Sequence, residues 1–307
     1  MKILITGSTG MVGRNLINAF SESPHELLTP SRHVLNLFDS VAIRKYLDKT
    51  QPDFIIHCAG KVGGIQANCE DPLGFYIENL DINRNIIFSA YQVGIPNFIN
   101  LGSSCMYPRD AQNPLKEVQL FSGKLEPTNE GYAIAKLSAQ RFCHYISEAN
   151  THLKYKTLIP CNLYGPYDKF DLKRAHLIPA IIHKMDIAKK TNEKNITIWG
   201  NGKCRREFMY VGNLADFIIK KIACFDRWPD TMNVGVGKDH TIFDYYNIAK
   251  SVLNFTGDFK YDLEKPVGMN QKLLAVTAQE NLGWSPSTSL DQGIELTYQY
   301  FLKNVCI

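Results

Sequence analysis

Two groups of residues in this chain have types and spacings suited to handling a proton and a phosphate. The first is Tyr132-Ala133-Ile134-Ala135-Lys136, where a phenol and an ammonium at i and i+4 share one helix face. An ammonium beside a phenol favours the phenolate and lowers the tyrosine pKa from about 10, readying it for proton transfer near neutrality. The spacing alone is common, and Tyr246…Lys250 and Tyr261…Lys265 repeat it. Tyr132 differs by having Ser103-Ser104 upstream, directly after an apolar run. The second group is Gly7-Ser8-Thr9-Gly10-Met11-Val12-Gly13, a turn able to cradle phosphate.

A phosphate-binding glycine turn needs a strand before it and a helix after it. Lys2-Ile3-Leu4-Ile5-Thr6 reads as a short buried strand, and Arg14 to Phe20 as an amphipathic helix. In that context G-x-x-G-x-x-G becomes a dinucleotide fingerprint. Glycine permits the turn, and the N–H groups of Gly7, Thr9, Gly10, Met11, Val12 and Gly13 approach the pyrophosphate. The helix N-terminus adds the positive end of its dipole. A second strand near Glu26–Thr29 runs into Pro30-Ser31-Arg32 with no acid at its end. NAD enzymes usually place an acid there for the ribose 2′-hydroxyl, whereas Arg32 suits a 2′-phosphate, so the cofactor expected is NADP, as NADPH. Asp39 is placed to accept from the adenine amino group.

Phe54–Gly60 and Asn97–Gly102 read as further apolar strands, joined by a helical stretch from Pro72 to Gly94. Alternating strands and helices predict βαβ units, a parallel sheet covered on both faces, and ligands at the carboxyl ends of its strands. Ser103 then stands at the end of the fourth strand. His57, inside a strand, reads as a satisfied core histidine. Composition shifts after Gly165-Pro166, with a polar loop from Tyr167 to Lys173, a helix from His176 to about Lys190 and a strand Ile196–Trp199. Trp199 offers a stacking plane for a base, Arg206 a fork for a diphosphate, and Lys184 further charge. Helical patterns recur at 214–225, 242–253 and 289–302. The fold class expected is α/β, a Rossmann-type doubly wound parallel sheet with a smaller, interleaved mixed α/β substrate lobe. The NADP-binding domain is expected over 1–165 plus about 207–245, and the substrate-binding lobe over about 166–206 plus 246–307.

The chain has 307 residues, 45% hydrophobic and 21% charged, ordinary for a globular protein that builds its own core. A net charge of +4 without runs of like charge predicts no nucleic acid as partner. Eight cysteines without C-x-x-C form no disulfide framework or metal-ligand pattern, which predicts reduced thiols and no metal. No secretory leader and no apolar run of about 20 residues is read, so the expectation is a cytoplasmic protein without a membrane segment.

Several blocks resemble the extended short-chain dehydrogenase/reductases, and within them the GDP-L-fucose synthase family, the GDP-4-keto-6-deoxy-mannose 3,5-epimerase/4-reductases. They are Lys61-Val-Gly-Gly-Ile-Gln-Ala-Asn68, Gly102-Ser-Ser-Cys-Met-Tyr-Pro108, Glu126-Pro-Thr-Asn-Glu-Gly-Tyr-Ala-Ile-Ala-Lys136, Asn162-Leu-Tyr-Gly-Pro166, His176-Leu-Ile-Pro179, and Trp199-Gly with Arg206-Glu-Phe. The resemblance implies hydride transfer from NADPH to C4 of a keto sugar, with Tyr132 protonating the alkoxide, Ser103 donating beside it and Lys136 holding the nicotinamide ribose. It implies Asn162 and Leu163 beside the cofactor, and Asn68, Lys184, Trp199 and Arg206 at a GDP-linked 4-keto-6-deoxy sugar. C3 and C5 both lie α to the ketone, so an epimerase needs a base on one face and an acid on the other, and Cys105 and His176 match the family's pair. A homodimer through the helices near 72–94 and 132–149 is also implied.

The chain departs from the family at Val267, Met269 and Ala275, which replace two carboxylates and a hydroxyl, and at Arg174-Ala175 before the histidine. Polar groups that pair with substrate discriminate strongly when changed. The departures therefore leave two substrates in view: a hexose that is epimerised and reduced, or a GDP-4-keto-6-deoxy-heptose that is reduced only at C4. A nucleotide-sugar dehydratase or 4-epimerase is opposed by Arg32 and the Cys105 block. A non-catalytic NADP sensor has little use for Ser103, Tyr132 and Lys136 together.

Overall fold

The computed structural model describes residues 1–172 and 174–306; Lys173, the end of the polar loop expected at 167–173, lies outside them. The chain runs β1 (Lys2–Thr6), α1 (Met11–Phe20), β2 (Glu26–Leu28), α2 (Ser40–Thr50), β3 (Phe54–His57), α3 (Ile65–Glu70), α4 (Pro72–Val93) and β4 (Asn97–Leu101). It continues through α5 (Glu130–Ala149), β5 (Lys154–Pro160), β6 (Asn162–Tyr164), α6 (Leu177–Thr191), β7 (Asn195–Trp199), β8 (Arg205–Arg206), β9 (Phe208–Tyr210) and α7 (Val211–Lys221). The last elements are β10 (Thr231–Val234), β11 (His240–Thr241), α8 (Ile242–Val252), β12 (Asp258–Asp262), β13 (Gln271–Lys272), α9 (Thr277–Asn281) and α10 (Leu290–Asn304).

Six strands form a parallel sheet in the order β10-β5-β4-β3-β1-β2. Its direction of growth reverses between β1 and β3, so the crevice above their carboxyl ends is where a doubly wound sheet binds its ligand. The apolar residues of β1 and β3 read as unbroken runs because both sheet faces are covered: Ile3, Leu4, Ile5, Ile55 and Ile56 are all 0% exposed. His57 is the satisfied core histidine expected, with Nδ1 at 2.7 Å from Thr6 Oγ1 and Nε2 at 3.0 Å from Asn83 Oδ1. Burial holds its pKa down at about 3.

Local signals set most boundaries. Helix α4 starts with Asp71 capping Gly74 N and Pro72 in the first turn, and stops where Gly94 takes a left-handed φ of 79°. Helix α1 begins at Met11 rather than Arg14, so Gly13 lies within its first turns. The helix expected through Phe225 ends at Lys221, and Ile222–Arg227 tightens into a 3-10 segment with a non-helical kink at Cys224.

One core lies under the six-stranded sheet, and another is built from α6, α8 and α10 around Ile181, Ile182, Tyr245 and Phe301. The division expected at residue 246 is not followed throughout. Leu274 and Trp284 pack into the core of the main sheet, and Trp284 Nε1 donates to Asp216 Oδ2 on α7 at 2.8 Å. Their tether is physical: Leu115 N donates to Leu273 O at 2.7 Å and Ala275 N to Leu115 O at 2.9 Å.

Candidate active site

The carboxyl ends of β1, β3 and β4 open on a cavity of about 990 Å³ that extends to the second core. Of the site residues picked out from the sequence, all but Asp39 line it. Asp39 is a correction. Its Oδ1 caps α2, accepting from Val41 N at 3.0 Å and Ala42 N at 2.9 Å, because an aspartate before a helix satisfies the free N–H groups of the first turn. Leu37 and Phe38 reach the cavity in its place.

At the glycine end the backbone approaches itself so closely that side chains are excluded. Gly7 has φ +67°, and a Cβ on Gly13 would stand 2.3 Å from Gly7 O. Ser8 Oγ donates to Pro30 O at 3.1 Å, tying the glycine turn to the loop that carries Arg32. The Arg32 guanidinium lies 5.3 Å from the Phe38 ring centroid, and no carboxylate pairs with it among the described residues. A free guanidinium beside a phosphate-cradling turn fits NADP: Gly7–Gly13 would hold its pyrophosphate and Arg32 its 2′-phosphate.

Ser103 stands two residues past the fourth strand in an extended conformation, and its Oγ accepts from Cys105 N at 3.3 Å, which turns the chain into a 3-10 segment and brings Cys105 to the cavity. Tyr132 and Lys136 come from the first turns of α5. The Ser103 hydroxyl hydrogen-bonds the Tyr132 phenol. Lys136, 4% exposed, donates from Nζ to Leu101 O at 2.8 Å. The expectation that Lys136 lowers the Tyr132 pKa is not met in this structure. Burial pushes the phenol well above its ordinary value, charge on Cys105 raises it further, and only the Ser103 hydrogen bond opposes. Burial takes Lys136 itself down to about 8.

Cys105 Sγ accepts from Asn129 Nδ2 at 3.2 Å and from Lys272 Nζ at 3.5 Å. His176 is the N-cap residue of α6, and its side chain makes no capping bond. Its pKa is lowered to about 4, by burial first and then by the charges of Lys169 and Lys272. The imidazole is therefore neutral at physiological pH. Asn68 donates from Nδ2 to Gly63 O and Gly64 O, both at 3.0 Å, while its buried Oδ1 has no partner among the described residues. A buried amide oxygen left free is suited to a ligand donor.

Farther out, Trp199 has two ammonium groups over its ring, Lys184 at 5.9 Å and Lys265 at 5.7 Å from the centroid. Lys184 also donates to Thr197 O at 3.2 Å, and burial lowers its pKa. Arg206 is oriented by Nη1 to Arg205 O at 2.8 Å and Nη2 to Val267 O at 2.7 Å. Arg205, next to it, is structural: it pairs with Asp239 at 2.6 Å.

Residues 3–235 match the NAD dependent epimerase/dehydratase family. The chain belongs to that family. It is 46% identical over 303 residues to the GDP-L-colitose synthase of Yersinia pseudotuberculosis, covering 99% of this chain and 98% of that one. It is 44% identical over 301 residues to the GDP-L-fucose synthase of Azorhizobium caulinodans, covering 98% and 96%. Among solved structures, the GDP-mannoheptose C4 reductase of Campylobacter jejuni with NADP bound superposes with a TM-score of 0.88 at 28% identity, covering 98% of each chain.

Within this epimerase/dehydratase fold, four cavity residues carry chemistry that was not read from the sequence. Asn129 lies inside the family-like block 126–136, which was the available signal, while Lys272 sits between the departures at Met269 and Ala275. Phe38 lies under Arg32. Asp168 lines the cavity with a buried Oδ2 that has no partner among the described residues, and burial raises its pKa to about 7.

Proposed function

We propose that this epimerase/dehydratase-family enzyme uses NADPH to reduce the C4 ketone of a GDP-linked 4-keto-6-deoxy sugar, after epimerising carbon next to that ketone in the same site. The observation that carries the reading is one cavity lined by Ser103, Tyr132 and Lys136 together with Cys105, His176, Trp199 and Arg206. The GDP-L-fucose and GDP-L-colitose synthases at 44% and 46% identity support the substrate class.

The cofactor supplies hydride to C4. Tyr132 and Ser103 donate to the ketone oxygen, and Tyr132 gives its proton to the alkoxide. The high phenol pKa keeps that proton in place until an alkoxide, a far stronger base, forms. The same two donors stabilise the enolate that forms when C3 or C5 loses its proton. Cys105 and His176 exchange the carbon-bound proton from opposite sides. Trp199 stacks on the guanine, while Arg206 and Lys184 face the diphosphate.

A 3-deoxy sugar is the second reading, favoured by the 46% identity to a GDP-L-colitose synthase and by Met269. This methionine, 4% exposed, gives the cavity wall a thioether where the family carries a hydroxyl. In such a substrate C5 alone is a stereocentre to invert beside the ketone.

Incubation with NADPH and GDP-4-keto-6-deoxy-mannose in deuterated water, followed by NMR of the product, tests these readings. GDP-fucose carrying deuterium at C3 and C5 supports the first. Turnover confined to the 3-deoxy analogue, with deuterium at C5, supports the second. Unlabelled reduced product means C4 reduction alone. No NADPH oxidation with the hexose, its 3-deoxy analogue or the heptose overturns the proposal.

The division into a cofactor part, 1–165 with 207–245, and a sugar-nucleotide part, 166–206 with 246–272 and 286–307, is part of the same reading; the excluded stretch is the one packed on the main sheet. A cytoplasmic homodimer is also proposed. Its support is a stripe of exposed apolar side chains on α4 and α5, among them Leu73, Ile77, Phe88, Tyr91, Ile134 and Tyr145. The family resemblance supports a dimer contact on these helices. No helix of the described residues is long and apolar enough to cross a membrane.

A further inference from the structure

Lys272 ends inside the reaction cavity with only 8% of its surface exposed. Among the described residues its ammonium pairs with no carboxylate, and its hydrogen bond goes to Cys105 Sγ at 3.5 Å. Asn129 Nδ2 donates to the same sulfur at 3.2 Å. The two donors arrive from distant parts of the chain: Asn129 immediately precedes α5 with its side chain free of any capping bond, and Lys272 is carried by β13.

The backbone beneath Lys272 is fixed. Strand β13 pairs with β8, opposing Lys272 to Arg206, and Glu207 N donates to Lys272 O at 3.2 Å. The Glu207 carboxylate, 1% exposed, accepts from Leu274 N at 2.8 Å, Val236 N at 2.6 Å and Gly237 N at 2.8 Å. This clamp joins the strand carrying Lys272 to the loop after β10, so the ammonium is held where the main sheet and the sugar-nucleotide side meet. A buried ammonium without a carboxylate stabilises negative charge on the nearest acceptor, and here that acceptor is sulfur.

We propose that Lys272 is a positioning residue for Cys105: with Asn129 it fixes the sulfur and holds the charge that sulfur carries whenever its proton is on carbon. The inference rests on the role given to Cys105 above. When the thiol protonates an enolate carbon, the S–H bond breaks, a C–H bond forms and the electron pair stays on sulfur. In the reverse transfer the thiolate takes the proton and the C–H pair passes to the enolate. The thiolate is the charged partner in both directions, so Lys272 governs carbon–proton exchange and leaves hydride transfer to Ser103, Tyr132 and Lys136. The other groups whose charges act with Cys105 are Tyr132 on α5 and Arg206 on β8, the latter also sensing Glu126.

The test is alkylation of Cys105 by iodoacetamide in the full-length protein, followed by mass spectrometry of its peptide across roughly pH 6 to 10. Cys143, 1% exposed, must stay unmodified and reports an intact fold. Lys272→Met is expected to slow alkylation at neutral pH about tenfold, because the charge beside the sulfur that favours the reactive thiolate is gone. Lys272→Arg is expected to stay near wild type. Lys272→Gln, which keeps a donor without the charge, is expected to follow Lys272→Met and serves in its place if that variant exposes Cys143. An alkylation rate unchanged across that pH range in the uncharged variant that keeps Cys143 protected overturns the proposal. If alkylation slows as expected but the wild-type protein exchanges no deuterium into any keto sugar, the contact stands and the epimerase reading fails.

Discussion

Replacing Arg32 with alanine should change which nicotinamide cofactor the protein prefers while leaving the reaction intact. Arg32 is exposed, stacks 5.3 Å from Phe38 and meets no competing carboxylate among the described residues. Its work is thus directed at the ligand, and a charge-assisted hydrogen bond to phosphate contributes about 1.5–3 kcal/mol. Exposure and solvent screening put this contact at the lower end, so kcat/KM for NADPH should fall roughly tenfold. NADH lacks the 2′-phosphate, and its kcat/KM should move by less than about twofold. The loss should appear in KM and shrink as salt rises from about 0.05 to 0.5 M. Arg32→Asp should go further, adding repulsion towards NADPH and an acceptor for the 2′-hydroxyl of NADH. The assay is the NADPH/NADH ratio of kcat/KM with a saturating keto sugar. An unchanged ratio in Arg32→Ala would refute the argument that this guanidinium reads the 2′-phosphate.

Tyr132→Phe should lower NADPH oxidation by about 10²–10⁴-fold while NADPH still binds, because the proton donor goes and the glycine turn remains; stopped-flow fluorescence of bound NADPH separates the two effects. His57, fully buried and neutral with its pKa near 3, should make the fold acid-sensitive. A depressed histidine pKa favours the native state above the unfolded value of about 6.5, so its contribution is full at pH 7.5 and declines from about pH 6.5 downward. The slope should be at most about 1.4 kcal/mol per pH unit, read as a falling urea midpoint, and weaker in His57→Asn. Phe88→Asp, on the exposed stripe of α4 where its ring stacks 6.1 Å from Phe142, should halve the mass measured by light scattering. An unchanged mass would remove α4 from the dimer contact.

The sequence by itself determined what depends on neighbours along the chain. Strand, glycine turn and helix at 2–20 were legible because turn sterics and hydrophobic periodicity act within a few residues. The same holds for α4, with its Asp71 cap, Pro72 start and Gly94 stop. The Tyr132–Lys136 pair was legible through helix spacing, and the catalytic blocks through their likeness to known families. Asp39 shows where local reasoning misled: a carboxylate that seemed aimed at a ligand had a nearer use, two N–H groups of its own helix.

Only the tertiary structure decided which distant groups share a dielectric environment. Strands β5 and β10 were not read from the sequence; their place in the sheet depends on pairing with each other and with β4, which no local pattern encodes. The phenol of Tyr132 was expected to ionise readily from its lysine neighbour, yet burial outweighs that spacing and pushes its pKa up. Lys272 and Cys105 are 167 positions apart, and their contact exists because Glu207 clamps one segment and Ser103 turns the other. Residue type and spacing set what each group can do, while desolvation and long-range contact set its charge when it acts.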